Sequence, residues 1–165
     1  MALHVSDHVV CPPHAMDGYF SSDDRLPYIT QIMTPSASVQ HLLALCDDAR
    51  ILLFDKTQLA APYDTIRVPE EEAFTALSNI ESDENAWMGT SVSGYVAVWD
   101  ARAPTSEPQM RLTGTSKSPY LSVASNGIYV ATGTELKGSD ALIDIWDLRQ
   151  TTKPVHTYSE VHSDD

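Results

Sequence analysis

Apolar and polar residues alternate in short runs along this chain, and almost nowhere do apolar positions recur at the interval of a helix face. The alternation is plainest in "YVAVW", where Val96 and Val98 flank Ala97, and in "LIDIW", where Leu142, Ile143 and Ile145 mix with Asp144. Branched aliphatic and aromatic side chains dominate these runs, as half-buried strands require. Turn formers stand between them: Asp47-Asp48, Ser93-Gly94, Ser125-Asn126-Gly127 and Gly138-Ser139-Asp140. The pattern predicts an all-β chain.

The strands also repeat. "RILLFDK", "GYVAVWDAR" and "LIDIWDLR" each end on an aromatic residue and an aspartate, and Asp55, Asp100 and Asp147 are spaced by 45 and 47 residues. Around each of them the chain parses into four short strands. The first unit reads "YITQIMT", "HLLALCD", "RILLFDK", "DTIRVP", and the second "AFTALSN", "AWMGTS", "GYVAVWD", "PQMRLTG". The third reads "YLSVASN", "IYVATGTE", "ALIDIWD", "VHTYSE". Four strands per unit at this period is the pattern of β-propeller blades. The division expected is an N-terminal arm or closing strand over 1–27, then blades over 28–69, 70–115 and 116–165, the last including the start of a further repeat. The competing reading is a β-sandwich in which the Trp-Asp pairs are coincidental.

Six residues before Phe54, Trp99 and Trp146 stand Asp48, Ser93 and Asp140, the tight-turn position at which WD40 repeats carry aspartate. Such a carboxylate accepts bonds from turn N–H groups and from a histidine in the preceding loop. The structural repeat positions are therefore Asp48, Phe54, Asp55, Trp99, Asp100, Asp140, Trp146 and Asp147, with His162 at the loop-histidine position of a following blade. The network is incomplete: Ser93 replaces the turn aspartate, Phe54 replaces tryptophan, and no Gly-His pair precedes the second or third unit.

The third unit, "ATGTELKGSDALIDIWDLR" followed by "YSEVHSDD", resembles the WD repeat-containing protein 89 family, as do "LALCDDARILLFDK" and "SGYVAVWDAR". The similarity runs over roughly residues 28–165 and departs from the family at the N-terminal segment and at Ser93. It implies a WD40 propeller without catalytic activity, whose partners are proteins. Three blades make an arc rather than a ring, so the outer faces of the first and last blades are expected to be bare. The expected consequence is a fragment of a longer propeller or a chain that completes itself by assembly, and an isolated chain that self-associates or melts early.

Charge narrows the partners. Ten Lys and Arg stand against 23 Asp and Glu, a net charge of −13, with no basic patch to attract phosphates or an anionic membrane surface. Acidic loops over 70–84 favour basic partner surfaces. The apolar runs are too short to span a bilayer, no signal peptide is visible, and two cysteines, Cys11 and Cys46, suit an intracellular chain with free thiols.

Three groups of residues invite a chemical reading. Arg102 and Arg149 each follow Trp-Asp by two residues, placing a guanidinium at a propeller rim where it would pair bidentately with a partner's carboxylate. Trp-Asp-x-Arg resembles the signature of WD40 substrate receptors that dock on the adaptor of cullin-4 ubiquitin ligases. The plainer alternative is a local ion pair of little consequence. His4, His8, Cys11 and His14, with Asp7, match no zinc spacing, and a loosely ordered arm is the simpler account. No nucleophile elbow, phosphate loop or His-Glu-x-x-His occurs, so no catalytic residue, cofactor, metal or small-molecule substrate is expected. "GTSVSG" belongs to a second strand and its turn, and Trp87, Tyr95 and Tyr120 read as packing or rim aromatics. A propeller hydrolase, the remaining rival, would need an acid or nucleophile in the central channel.

Overall fold

The computed structural model describes residues 28–36, 40–103, 107–114, 118–134 and 140–161. They form three four-stranded antiparallel sheets, one per sequence unit and each a simple meander. Blade 1 is β1 (Ile29–Met33), β2 (His41–Cys46), β3 (Arg50–Asp55) and β4 (Asp64–Arg67). Blade 2 is β5 (Phe74–Ile80), β6 (Asp83–Ser91), β7 (Tyr95–Asp100) and β8 (Met110–Thr113). Blade 3 is β9 (Tyr120–Asn126), β10 (Tyr129–Thr134), β11 (Asp140–Asp147) and β12 (His156–Val161). A 3-10 turn at Glu70–Glu72 is the one helical element among the described residues, and none is long or apolar enough to cross a membrane.

Turn chemistry fixes the register within each blade. At the turn joining the second and third strands, Ala49 (φ 63°) and Gly94 (φ 78°) occupy the same repeat position in the left-handed region. Glycine adopts that conformation freely, whereas Ala49 does so at a steric cost. Asp48 in the same turn is held by Arg50, whose Nε donates to Oδ2 at 2.7 Å. In blade 2 the hydroxyls of Ser91 and Ser93 lie 2.8 Å apart, and Ser93 N–H donates to Ser91 Oγ at 3.0 Å. Blade 1 thus locks its turn with an ion pair and blade 2 with hydroxyls; among the described residues no histidine bonds Asp48 or Ser93. For Asp140 only the backbone is described, paired with Val161, and His162, His4, His8, Cys11 and His14 lie outside the described residues.

The strand period of two gives every blade two apolar faces, and the blades stack through them. Leu43, Leu45, Ile51, Leu53 and Ile66 of blade 1 pack on Phe74, Trp87 and Trp99 of blade 2. The other face of blade 2 presents Met88, Val96, Val98 and Leu112 to Tyr120, Val130 and Trp146 of blade 3. Side chains also clamp the first strands together. The Gln31 amide donates to Leu77 O at 2.8 Å and accepts from Leu77 N–H at 2.7 Å, standing in for one rung of a ladder between β1 and β5. Between blades 2 and 3, Ser125 Oγ donates to Asn79 O at 2.9 Å and Ser82 Oγ to Gly127 O at 2.9 Å.

The blade tryptophans differ in one respect. Trp146 Nε1 donates to Thr132 Oγ1 at 3.2 Å. Thr132 stands two residues beyond Val130, the cross-strand partner of Trp146; the equivalent position in blade 2, two residues beyond the Trp87 that faces Trp99, is Gly89, and Trp99 Nε1 is buried without a partner. A Cβ at Gly89 would lie 2.9 Å from Phe74 Cδ1, so the ring of Phe74 excludes the hydroxyl that would satisfy the indole. Blade 1 has Phe54 at the tryptophan position, facing Leu42, and has no donor to satisfy.

The far face of blade 1 departs from expectation. Ala44, Cys46, Leu52 and Phe54 are all buried there rather than bare. Burial, then the Asp48 carboxylate, push the Cys46 thiol up to about 11, so it is an inert packing residue. On the far face of blade 3, Ile143 and Tyr158 are exposed.

Candidate interaction surface

The residues singled out by the repeat meet at one end of the arc, where each third strand turns into the fourth. In all three blades the strand-ending aspartate builds the same turn. Its Oδ1 accepts the backbone N–H two residues on, from Thr57 at 2.7 Å, Arg102 at 2.9 Å and Arg149 at 2.9 Å. Its carbonyl accepts the N–H three residues on, from Gln58 at 2.9 Å, Ala103 at 3.0 Å and Gln150 at 2.8 Å. The short acceptor side chain competes for the backbone as the strand ends, which is why aspartate serves there.

The side chain at the second position after the aspartate then differs by blade. In blade 1 Thr57 Oγ1 donates to Asp55 Oδ1 at 2.7 Å. In blades 2 and 3 an arginine grips the aspartate side-on. Arg102 Nε and Nη2 reach Asp100 Oδ1 and Oδ2 at 2.8 and 2.6 Å, and Arg149 makes the same pair with Asp147 at 2.9 and 2.6 Å. Arg102 Nη2 also reaches Asp83 Oδ2 at 3.1 Å. The side chains of Arg102 and Arg149 remain 61% and 65% exposed. Both arginines are therefore locally paired and also on the surface, each held in a fixed orientation by a bidentate contact.

The electrostatics follow from that geometry. The Arg149 guanidinium, then its backbone N–H, hold the Asp147 carboxyl down at about 2. Arg102 lowers Asp100 in the same way, and Thr57 lowers Asp55 through its hydroxyl and N–H. Reciprocally, the aspartates raise both guanidinium groups above their ordinary value. In both pairs the arginine end is exposed; Asp100 is half-buried and Asp147 buried, so the Arg149–Asp147 pair is the less screened by solvent of the two.

Trp87, Tyr95 and Tyr120 are packing residues. Trp87 stacks on Trp99 at 4.4 Å and 10° between planes. Tyr95 OH donates to Glu72 Oε2 at 2.9 Å under the guanidinium of Arg111, which lies 4.6 Å from the ring centroid. Burial, then the bond to Glu72, raise the Tyr95 phenol to about 12. This cluster lines an open cavity of about 450 Å³ between the outer strands of blades 1 and 2, with Arg67 and Met110 on its walls.

Sequence reasoning passed over Asp144, a fully buried carboxylate in the seam between blades 2 and 3. It accepts from the Tyr120 hydroxyl and, at 2.5 Å, from Thr157 Oγ1. The signal was available: Asp144 stands two residues before Trp146, where the other units carry Ala97 and Leu52. Gln31 gave no such signal. Among the described residues, no cluster of three or more His, Cys, Asp or Glu is placed to hold a metal.

No protein-family model matches the chain. Over 97 residues it is 34% identical to an uncharacterized WD repeat-containing protein of Saccharomyces cerevisiae, a match covering 58% of this chain and 24% of the yeast protein. A chain in a crystal structure of the mitotic checkpoint complex superposes with a TM-score of 0.62 at 19% identity, over 80% of this chain and 37% of that one. This chain thus spans well under half the length of either protein. Three stacked four-stranded meanders, the repeated Trp-Asp strand ends and these two likenesses together support a WD repeat family, and the fold is an open, incomplete WD40 β-propeller.

Proposed function

We propose that this chain is a protein-interaction scaffold without catalytic activity of its own, acting inside the cell on protein partners. The observation that carries the proposal is the rim turn repeated in all three blades. It holds side chains of differing chemistry in equivalent orientations on a rigid support. Within WD repeat proteins, the WD repeat-containing protein 89 family is the relationship we propose, on the residues of the third unit. The acidic excess argues for basic partner surfaces and against nucleic acid or an anionic membrane.

A second reading has its own support. Two Asp-x-Arg turns of matching geometry lie in neighbouring blades, with both guanidinium groups exposed. That spacing suits a substrate receptor of a cullin-4 type ubiquitin ligase, docking on the ligase adaptor. The test for both is the Arg102→Glu, Arg149→Glu double variant in capture experiments against purified adaptor and against candidate protein partners. Loss of adaptor capture supports the receptor. Partners lost on reversal without any adaptor binding support the general scaffold. A capture profile identical to wild type for every partner overturns the rim as the interaction surface. Turnover abolished by a single substitution in a substrate screen would overturn the non-catalytic assignment.

A further inference from the structure

The two rim arginines share a turn but not an electrostatic setting. Arg102 Nη2 lies 2.6 Å from Asp100 Oδ2 and 3.1 Å from Asp83 Oδ2, so one guanidinium meets two carboxylates and the cluster carries a net charge of −1. Both carboxylates reach solvent, with side chains 30% exposed at Asp100 and 41% at Asp83. Among the described residues Arg149 pairs with one carboxylate, Asp147, and that pair is neutral. The Asp147 side chain is only 8% exposed, whereas the guanidinium over it is 65% exposed. At this turn the charge that blade 3 shows to water is positive, and the charge that blade 2 shows is mainly negative.

Neighbouring residues account for the contrast. Across the ladder Asp147 faces Tyr129, whose phenol adjoins the Arg149 guanidinium, whereas Asp100 faces Ala86. An aromatic ring shields its aspartate from water where a methyl group leaves it part-open. Asp83 opens β6 three residues before Ala86; the three residues before Tyr129 are Asn126, Gly127 and Ile128, none of them acidic. The exposure of Arg149 does not depend on its place in the last blade. Arg102 is 61% exposed with blade 3 stacked beside it, close to the value for Arg149.

We infer that Arg149 is the rim arginine that takes a partner's carboxylate, and that Asp83 withholds Arg102 from doing the same. This assignment rests on the rim as the interaction surface and narrows the partner to one that sets an acidic side chain opposite blade 3. At Arg102 Nη2, Asp83 already supplies the second carboxylate, and an incoming one would meet two like charges. At Arg149 the bidentate hold on a buried aspartate fixes the guanidinium in advance, so little side-chain freedom is lost on pairing. The net charge of −13 opposes acidic partners at long range, but at physiological salt that field is screened beyond about 8 Å.

Sodium acetate, titrated into the whole chain at constant ionic strength and followed by NMR at the Nε–H signals of both arginines, tests the assignment. Acetate should bind at Arg149 at least about threefold more tightly than at Arg102, a difference on the scale of exposed ion pairs. Asp83→Asn should bring Arg102 to within about twofold of Arg149. Asparagine keeps the oxygen that accepts the Asn85 N–H at 3.0 Å, so the turn is preserved. Tyr129→Ala, by opening Asp147 to water, should weaken acetate at Arg149 and leave Arg102 unchanged. Equal binding at the two arginines, tighter binding at Arg102 or no response at Arg149 would overturn the assignment. An Arg102 that stays weak in Asp83→Asn would overturn the part given to Asp83. None of these outcomes touches the rim as an interaction surface, which fails only if the double charge reversal leaves partner capture unchanged.

Discussion

Trp99 and Trp146 end the third strands of their blades in almost the same words, yet one indole N–H has a partner and the other has none. The difference yields a mutational contrast. Both Trp→Phe changes remove similar volume, but only Trp146→Phe breaks a hydrogen bond. It should cost about 1 kcal/mol more than Trp99→Phe, measured by urea unfolding. Equal costs would show that the Thr132 bond contributes nothing. Adding the missing hydroxyl in blade 2 should fail. Gly89→Thr drives a Cβ into Phe74 and Leu77 and should destabilise by about 1–3 kcal/mol. The rim aspartates set an acid limit. Asp147 titrates lower in the fold than the usual carboxylate value of 3.8, so its pairing with Arg149 contributes fully above that value. The contribution fades as pH falls and is lost through about 2. Arg149→Gln should therefore flatten the acid side of the stability curve in that window, and an unchanged curve would remove the pair from the account.

Most of the strand layout was legible in the chain because packing between blades leaves a strict mark. Every strand with two buried neighbours must alternate, and every blade must repeat that alternation at the same spacing. The aromatic ends Phe54, Trp99 and Trp146 therefore announced their third strands. What could not be read were features owed to contacts between blades. Gln31 bridges β1 and β5 with both ends of its amide, although a glutamine in an alternating strand looks like any exposed residue. Asp144 looked polar and unremarkable beside Ile143, and only the seam with Tyr120 shows it to be buried. The rim arginines were placed at the surface by their position after Trp-Asp, but their side-on grip on the aspartates depends on turn geometry that spacing alone does not reveal. Gln31→Ala should test the bridge. It leaves Leu77 N–H and C=O without their side-chain partner, at a cost of about 1–3 kcal/mol. Amide exchange at Leu77 should accelerate more than elsewhere in β5. Uniform acceleration along the strand would mean that the amide is not a rung.

At the scale of the whole molecule the three blades form a short one-dimensional stack, in which stability is shared between neighbours. Blade 2 is packed on both faces, and blade 1 has its far face buried, whereas blade 3 has one face open. The arc is thus expected to unfold from its blade 3 end. A rim that presents Arg102 and Arg149 in fixed orientations requires blades 2 and 3 to behave as one packed body under native conditions. The seam between them holds the buried Asp144, bonded by Tyr120 and Thr157, so loosening of blade 3 would expose an acidic group to water. The most direct measurement is residue-resolved amide hydrogen exchange on dilute, monomeric protein. The account predicts the slowest exchange in β6 and β7, intermediate exchange in β2 and β3, and the fastest strand-centre exchange in β10 and β11. Equal protection across all three sheets, or slower exchange in blade 3 than in blade 2, would contradict a series of blades stabilised by their neighbours.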